Sequence, residues 1–248
     1  MTLANAAPTA ATPAAAVPAV ELTDVRFAYR AGTDVVAIDA LAIPRGETVF
    51  LHGPSGSGKT TLLGLLAGVL QADRGAVRIL GTDITRLSSG ERDAFRAQHL
   101  GYVFQQFNLI PYLSVRENIL LPVRLDAARR ARLGGADPVQ AADALARDLD
   151  IAGALQSKVT ELSVGQQQRV AVARALIASP ELVICDEPTS ALDSDRRERF
   201  LELLFKSCTK AGATLVFVSH DLSLQPLFAR AVSLPTVNRA SAVASVEN

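Results

Sequence analysis

The run Gly53-Pro54-Ser55-Gly56-Ser57-Gly58-Lys59-Thr60 constrains this chain more than any other stretch, because it fits the phosphate-cradling pattern G-x-x-x-x-G-K-[ST] at every defined position. Such a loop works between a strand and a helix. The flanks agree: Glu47-Thr48-Val49-Phe50-Leu51-His52 reads as a strand, and the residues from Thr61 to Ala67 read as a helix apolar on all sides, hence buried. Glycines let the backbone wrap a polyphosphate so that successive N–H groups point inward, at the positive end of the following helix. Lys59 is then free to reach the β- and γ-phosphates, and the Thr60 hydroxyl is placed for Mg²⁺. A nucleoside triphosphate is the ligand these residue types predict.

With 248 residues the chain can build one sizeable α/β domain, or a core with a smaller appended subdomain. Its 25 basic and 25 acidic residues balance, so no global field argues for nucleic acid or for an anionic membrane surface. Cys185, in an apolar run, and Cys208, in a helical stretch, lack metal-type or C-x-x-C spacing and read as small buried residues of a reduced compartment. The first twenty residues are rich in Ala, Pro and Thr without a basic start, and Pro8, Pro13 and Pro18 interrupt every apolar stretch. They read as a disordered lead-in, neither signal peptide nor membrane span. No other apolar segment approaches the ~20 residues that cross a bilayer, so a membrane role requires a partner.

Strand-like stretches alternate with helical ones at Glu21–Phe27, Thr48–His52, Ala76–Leu80, Leu100–Phe104, Leu182–Asp186 and Thr214–His220, which predicts a layered α/β domain. Between about Gln106 and Ser163 strands vanish. There Asp137 and Pro138 form an N-cap and N1 pair, and Ala142, Leu145, Ala146 and Leu149 recur at helical spacing. A helical subdomain inserted at about 106–163 is the expectation. The apolar strand 181–185 ends in Asp186 and Glu187, which puts two carboxylates at the carboxyl edge of a sheet, where ligands bind. Asp186 is the natural Mg²⁺ partner and Glu187 the candidate general base for a water attacking the γ-phosphate. Leu162-Ser163-Val164-Gly165-Gln166 precedes a helical run from Arg169 to Ala178, with Ser163 a fitting N-cap and a second anion-binding helix start.

Gly53–Thr60, Gln105, Leu162–Gln166, Asp186-Glu187, Ser190-Ala191-Leu192-Asp193 and His220 stand in the order and spacing of the ATP-binding subunits of ABC transporters, and the resemblance runs from about Glu21 to Asp221. It implies an α/β P-loop NTPase (RecA-like) core, residues 21–235, with an N-terminal antiparallel β subdomain and the inserted helical one, followed by a flexible tail at 236–248. It also implies that two copies pack head to tail, each ATP lying between the phosphate loop of one and the signature loop of the other. Carried over, Gly53, Pro54, Ser55, Gly56, Ser57, Gly58, Lys59, Thr60 and Thr61 would contact the nucleotide, and Ser163, Gly165 and Gln166 the γ-phosphate bound by the opposite copy. Gln105 matches the glutamine that reaches Mg²⁺ and the attacking water, His220 the switch histidine, and Asp193 the aspartate that signals across the dimer. Tyr29 resembles the aromatic that stacks on adenine, with Phe27 as a second candidate. His52 and His99 match no motif.

Two departures stand out: Val164 replaces the usual third-position glycine of the signature, and the chain after Asp221 lacks the usual glycine-containing hairpin. The segment Gly101 to Pro111, with Ser114-Val115-Arg116-Glu117-Asn118-Ile119, looks like the branch containing lipoprotein-release and macrolide-efflux ATPases. The resemblance implies cytoplasmic placement under an integral-membrane permease, with export or mechanotransmission as the output. Phe107, Leu109, Ile110, Tyr112 and Leu113 are expected to include an exposed docking patch for that permease. A soluble ABC ATPase of DNA repair or translation is the competing reading; such proteins typically carry a long coiled coil or two ATPase modules, and neither pattern occurs here. A P-loop kinase or GTPase would leave the signature and His220 unexplained.

Overall fold

The computed structural model of the protein describes residues 17–30, 32–190, 192 and 194–240. With elements numbered in chain order, β1 (Val20–Phe27) lies between β2 (Val36–Ile43) and β4 (Arg74–Ile79), antiparallel to both, and the short β5 (Thr82–Asp83) completes a four-stranded sheet. The second sheet is wholly parallel. It runs β6 (Leu100–Val103), β7 (Leu182–Asp186), β8 (Thr214–Val218), β3 (Thr48–His52), β9 (Arg230–Ser233). The central strands are apolar nearly throughout because both faces are covered.

Alternate residues on those strands divide between two cores. Val49, Leu51, Ile184, Val216 and Val218 face the first sheet and α1 (Lys59–Leu66), whose Leu62, Leu63, Leu65 and Leu66 fill the space between. Phe50, Val183, Cys185, Leu215 and Phe217 face α6 (Val164–Leu176) and α7 (Ser194–Ala211) on the other side. Each such side chain removed from water contributes about 1.5–3 kcal/mol. Cys185 and Cys208 are both buried thiols, as expected.

From residue 104 to 181 the described chain has no strand. The helices α3 (Val115–Leu125), α4 (Ala127–Ala131) and α5 (Pro138–Asp148) pack with α6 around Ile119, Leu120, Ala142 and Ala146. Their starts follow from short-range chemistry: Ser114 and Glu117 form a capping box, and Asp137 caps α5 ahead of Pro138. Arg129 of α4 is buried and donates to the carbonyls of Ala97, Leu100, Ala175 and Ile177, tying the helical layer to β6 and to the end of α6. Its charge is dispersed over carbonyl dipoles, and burial lowers its pKa to about 10.

Several boundaries differ from expectation. The strand read as Thr214–His220 ends at Val218, and that read as Leu100–Phe104 ends at Val103. The helix read as Arg169–Ala178 runs instead from Val164 to Leu176, because Ala178 and Ser179 take φ of 63° and 47°. The tail expected from 236 onward does not start there: α8 (Leu234–Val237) leads into a fully buried Asn238, which bridges to Ile38. Likewise Ala19 is buried and its N–H donates to Ile43, so ordered packing begins before residue 21. Residues 1–16 and 241–248 lie outside the described residues.

Candidate nucleotide site

The phosphate loop leaves β3 at its carboxyl end and closes on α1. Gly56 and Gly58 take φ of 79° and 92°, which L side chains rarely adopt. A Cβ on Gly53 would sit 2.6 Å from Ser57 Oγ, and one on Gly58 would sit 2.9 Å from the Val35 carbonyl. No side chain caps α1, so its first N–H groups remain directed into the loop. Lys59 Nζ donates to the carbonyls of Gly53 (2.8 Å) and Pro54 (3.0 Å), folding the ammonium back over the loop it belongs to. A polyphosphate would offer that ammonium stronger, charge-assisted acceptors.

β8 lies between β3 and β7, so the carboxyl ends of three strands meet beside the loop. Asp186 ends β7 in register with Val218. Glu187 follows with φ of 45°, its N–H donating to the Val218 carbonyl at 3.0 Å. That left-handed step turns the Glu187 side chain out of the strand, where its carboxylate lies 2.9 Å from His220 Nδ1. Burial, and then the neighbouring Glu187 carboxylate, push the Asp186 carboxyl above its ordinary value, while the Lys59 ammonium pulls it back. Two crowded carboxylates beside one ammonium suit a site completed by a divalent cation. His220 is itself exposed and followed by Asp221, which pairs with Arg197 of α7 and caps the turn through Ser223.

The structure separates the two aromatic candidates. Tyr29 is 63% exposed and its hydroxyl sits 3.3 Å from Thr61 Oγ1 at the start of α1, whereas Phe27 is 8% exposed and packs edge-on beneath it. Gln105 is exposed just past β6, one strand beyond Asp186, without a hydrogen bond to the carboxylates. Ser163 caps α6 through a capping box with Gln166, and Val164 stands in the first helical position, where no glycine-only conformation is required. Among the described residues no hydrogen bond joins Ser163, Gly165 or Gln166 to the phosphate loop; the polar groups of Ser163 and Gln166 are bonded to each other. Asp193 lies outside the described residues. Of the apolar cluster after Gln105, Phe107 is buried in the core rather than exposed, because its left-handed φ of 59° swings it inward; Tyr112, at 75% exposure, is the open one.

Three polar residues at this site escape a sequence reading. Arg174 of α6 donates to the carbonyls of Phe107 and Asn108, both at 2.6 Å, bracing the segment after Gln105 from the signature helix. Asn118, fully buried, holds Ile110 through both its N–H and its carbonyl. Asn238 donates to the carbonyls of Val35 and Ser57. The only signal for Arg174 and Asn118 is a polar residue set within an otherwise apolar helical face.

The model of the ABC transporter family matches residues 38–190. The lipoprotein-releasing system ATP-binding protein LolD of Porphyromonas gingivalis is 37% identical over 205 residues, covering 83% of this chain and 91% of that protein. The corresponding protein of Anaeromyxobacter dehalogenans is 38% identical over 222 residues, covering 88% and 91%. Among solved structures, the dimeric structure of MJ0796, a bacterial ABC transporter cassette, superposes with a TM-score of 0.76 at 34% identity, covering 86% of this chain and 93% of that one. A post-hydrolysis form of the same cassette bound to ADP and Pi gives 0.76 at 35%. With the phosphate loop, the paired carboxylates Asp186 and Glu187, and His220 gathered at one sheet edge, the chain belongs to the ABC transporter family, as an ATP-binding and ATP-hydrolysing subunit.

Proposed function

We propose that this subunit works as a head-to-tail dimer that closes on two ATP molecules and drives a separate membrane permease of the lipoprotein-release type. The observation that carries the reading is the arrangement of the site: Lys59, Asp186, Glu187 and His220 share one edge of the parallel sheet, while Ser163 and Gln166, which cap α6 between themselves, make no hydrogen bond to it among the described residues. One chain then supplies half of each site. Gly53 to Thr61 wraps the phosphates of one nucleotide, Tyr29 lies under its base, and Ser163, Gly165 and Gln166 of the second copy cover its γ-phosphate. Glu187 orients and deprotonates the attacking water, and His220, bonded to Glu187, reports whether the γ-phosphate is in place. Asp193 belongs to the contact between copies.

Thr60, Gln105 and Asp186 are the residues that would hold Mg²⁺, and the charge on Asp186 and Glu187 fits a divalent cation. When bound, the ion would neutralise charge on the β- and γ-phosphates. Among the described residues no helix is long and apolar enough to cross a membrane, so attachment to the cytoplasmic face would come through the permease. Exposed Tyr112, beside Ile110 and Leu113, is the best-placed contact for it. The relatives named for lipoprotein release favour that branch over a soluble ABC ATPase. We assign the ATPase unit as residues 21–235 together with the flanking residues packed onto it, buried Ala19 and buried Asn238, with the helical insertion at about 106–163.

The test is to trap a tagged Glu187→Gln variant with ATP in its native cells, solubilise the membranes gently, and identify co-purifying chains by mass spectrometry. A stoichiometric multi-helix membrane protein with a large extracytoplasmic domain is the expected result. Recovery in the soluble fraction alone, or with ribosomal or DNA-associated proteins, would overturn the transport reading.

A further inference from the structure

The nucleotide site has a base end, on the connector between β1 and β2 that carries Tyr29, and a phosphate end, on the loop after β3. These ends stand on different sheets and meet at the Tyr29 hydroxyl and Thr61 Oγ1, a half-exposed contact, so a buried brace is needed to fix their spacing. The candidate is Asn238, near the end of the described chain and fully buried. Its Nδ2 donates to the Val35 carbonyl at 2.9 Å and to the Ser57 carbonyl at 3.0 Å; its Oδ1 accepts from the N–H of Ala37 at 2.7 Å and of Ala240 at 3.3 Å. One carboxamide therefore bonds the base-side connector and the phosphate loop at once. The orientation of the amide is forced, since two carbonyls face the nitrogen and amide hydrogens face the oxygen.

The rest of the segment is built to hold that side chain in place. β9 lies parallel to β3 up to the pair His52 and Ser233, immediately before the loop begins. Leu234, fully buried, anchors α8, and Asn238 N–H donates to the Leu234 carbonyl at 2.8 Å. The same segment floors the loop. A Cβ on Gly53 would meet Pro235 Cδ at 3.2 Å, and one on Gly58 would meet Asn238 Nδ2 at 3.2 Å. The glycine pattern of the loop thus answers to this strut as well as to phosphate.

We propose that Asn238 is a positioning residue for ATP, which sets the spacing between the base-binding connector and the phosphate loop and makes segment 230–240 a working part of the nucleotide site. A buried amide bonded to two carbonyls and two N–H groups is costly to break, because removing it leaves those groups without partners. Nucleotide bound across both ends would in turn hold the segment, so that binding and the order of residues 234–240 are linked. The inference rests on the loop being the nucleotide site, which Lys59→Ala tests separately.

The experiment compares the full-length chain with Asn238→Ala, Asn238→Asp, Leu234→Ala and Lys59→Ala, using MgADP by calorimetry and thermal unfolding without nucleotide. Asn238→Ala is expected to weaken MgADP about tenfold, the loss of roughly one well-placed hydrogen bond's free energy. Asn238→Asp should weaken it at least as much, because a carboxylate would face the Val35 and Ser57 carbonyls. Leu234→Ala removes packing from the same segment and should lower the unfolding temperature while costing less affinity than Asn238→Ala. Equal affinity losses at equal destabilisation, or unchanged affinity in Asn238→Ala, would overturn the proposal. If the Asn238 variants fail to fold, hydrogen exchange on the unmodified chain decides: MgADP should slow exchange at residues 234–240 together with 53–60, and protection of 53–60 alone overturns it. Retained MgADP binding in Lys59→Ala would instead strike at the loop assignment.

Discussion

The phosphate loop and the signature loop are both glycine-containing segments that open a helix, yet the chain treats them in opposite ways. Gly58 has no room for a side chain, and its loop packs against Val35 on one side in sequence and Pro235 and Asn238 on the other. Gly165 has open space around it, and its loop is satisfied by a capping box between Ser163 and Gln166, neighbours three residues apart. The first half is finished by the chain's own tertiary structure. The second is finished only as a local motif, presented outward, and it gains an anion to bind only if a surface from elsewhere meets it. Substitutions placed on the two halves therefore should differ in kind as well as in size.

The largest effect belongs to Glu187→Gln. The substitution is isosteric, so the left-handed turn at Glu187 and the neighbouring Asp186 remain as they are, and only the base is lost. ATP turnover should fall by about 10²–10⁴-fold, measured as phosphate release, while ATP-bound dimer accumulates in light scattering. Turnover within a few-fold of the unmodified chain would remove Glu187 from the chemistry and put the weight on His220 or Gln105.

Lys59→Ala comes next. The ammonium's two contacts are to exposed or half-buried loop carbonyls, so thermal stability should hardly move, whereas MgATP affinity should drop by about 100-fold through loss of a charge-assisted contact. Calorimetry and unfolding on one preparation separate these. A large stability loss with affinity intact would mean that Lys59 serves the loop's shape and not its ligand. Gly58→Ala should show the converse balance: with φ of 92° and a Cβ 2.9 Å from the Val35 carbonyl, the variant should lose about 1–3 kcal/mol of stability and lose affinity with it. Chemical unfolding reads the first and calorimetry the second; an unchanged midpoint would show that the loop relaxes freely and is not braced.

The same contrast explains what could be read before the fold was known. β3, β7 and β8 are continuous apolar runs covered on both faces, and the loop after β3 is a contiguous motif, so both are visible in sequence. Strand β2 contains the alternation but dilutes it with Ala37, Ala40 and Ala42, too small to mark a face. Strand β9 is only four residues long, and its place beside β3 is set by pairing across the whole sequence. Helix α2 (Ser89–His99) carries a capping box, Ser88 with Glu91, yet no fully buried side chain, so periodicity gives little warning of it. Residues that act at long range left little local trace of their partners: Asn238 bonds Ala37 across 201 positions, and Arg174 bonds Phe107 across 67. Which members of the cluster after Gln105 are exposed was not legible either: Phe107 is buried and Tyr112 open, and the two successive left-handed residues at Phe107 and Asn108 alter the chain's course without altering the sequence pattern around them.

Gly165→Asp is the smallest change within one chain and the sharpest test of the comparison. Open space surrounds the position, it lies in the first turn of α6, and an acidic side chain there interacts favourably with the helix dipole. Stability and MgADP affinity of the isolated chain should both stay within experimental scatter of the unmodified protein. Hydrolysis should nonetheless collapse, because the new carboxylate would face the γ-phosphate held by the other copy, and like charges at that distance repel. The readout is phosphate release against protein concentration: the unmodified chain should rise more steeply than linearly as dimers form, and the variant should stay flat. A variant that hydrolyses ATP normally would show that the signature loop does not meet the nucleotide of a second copy. A variant with weakened MgADP affinity in dilute solution would show that the two halves meet within one chain.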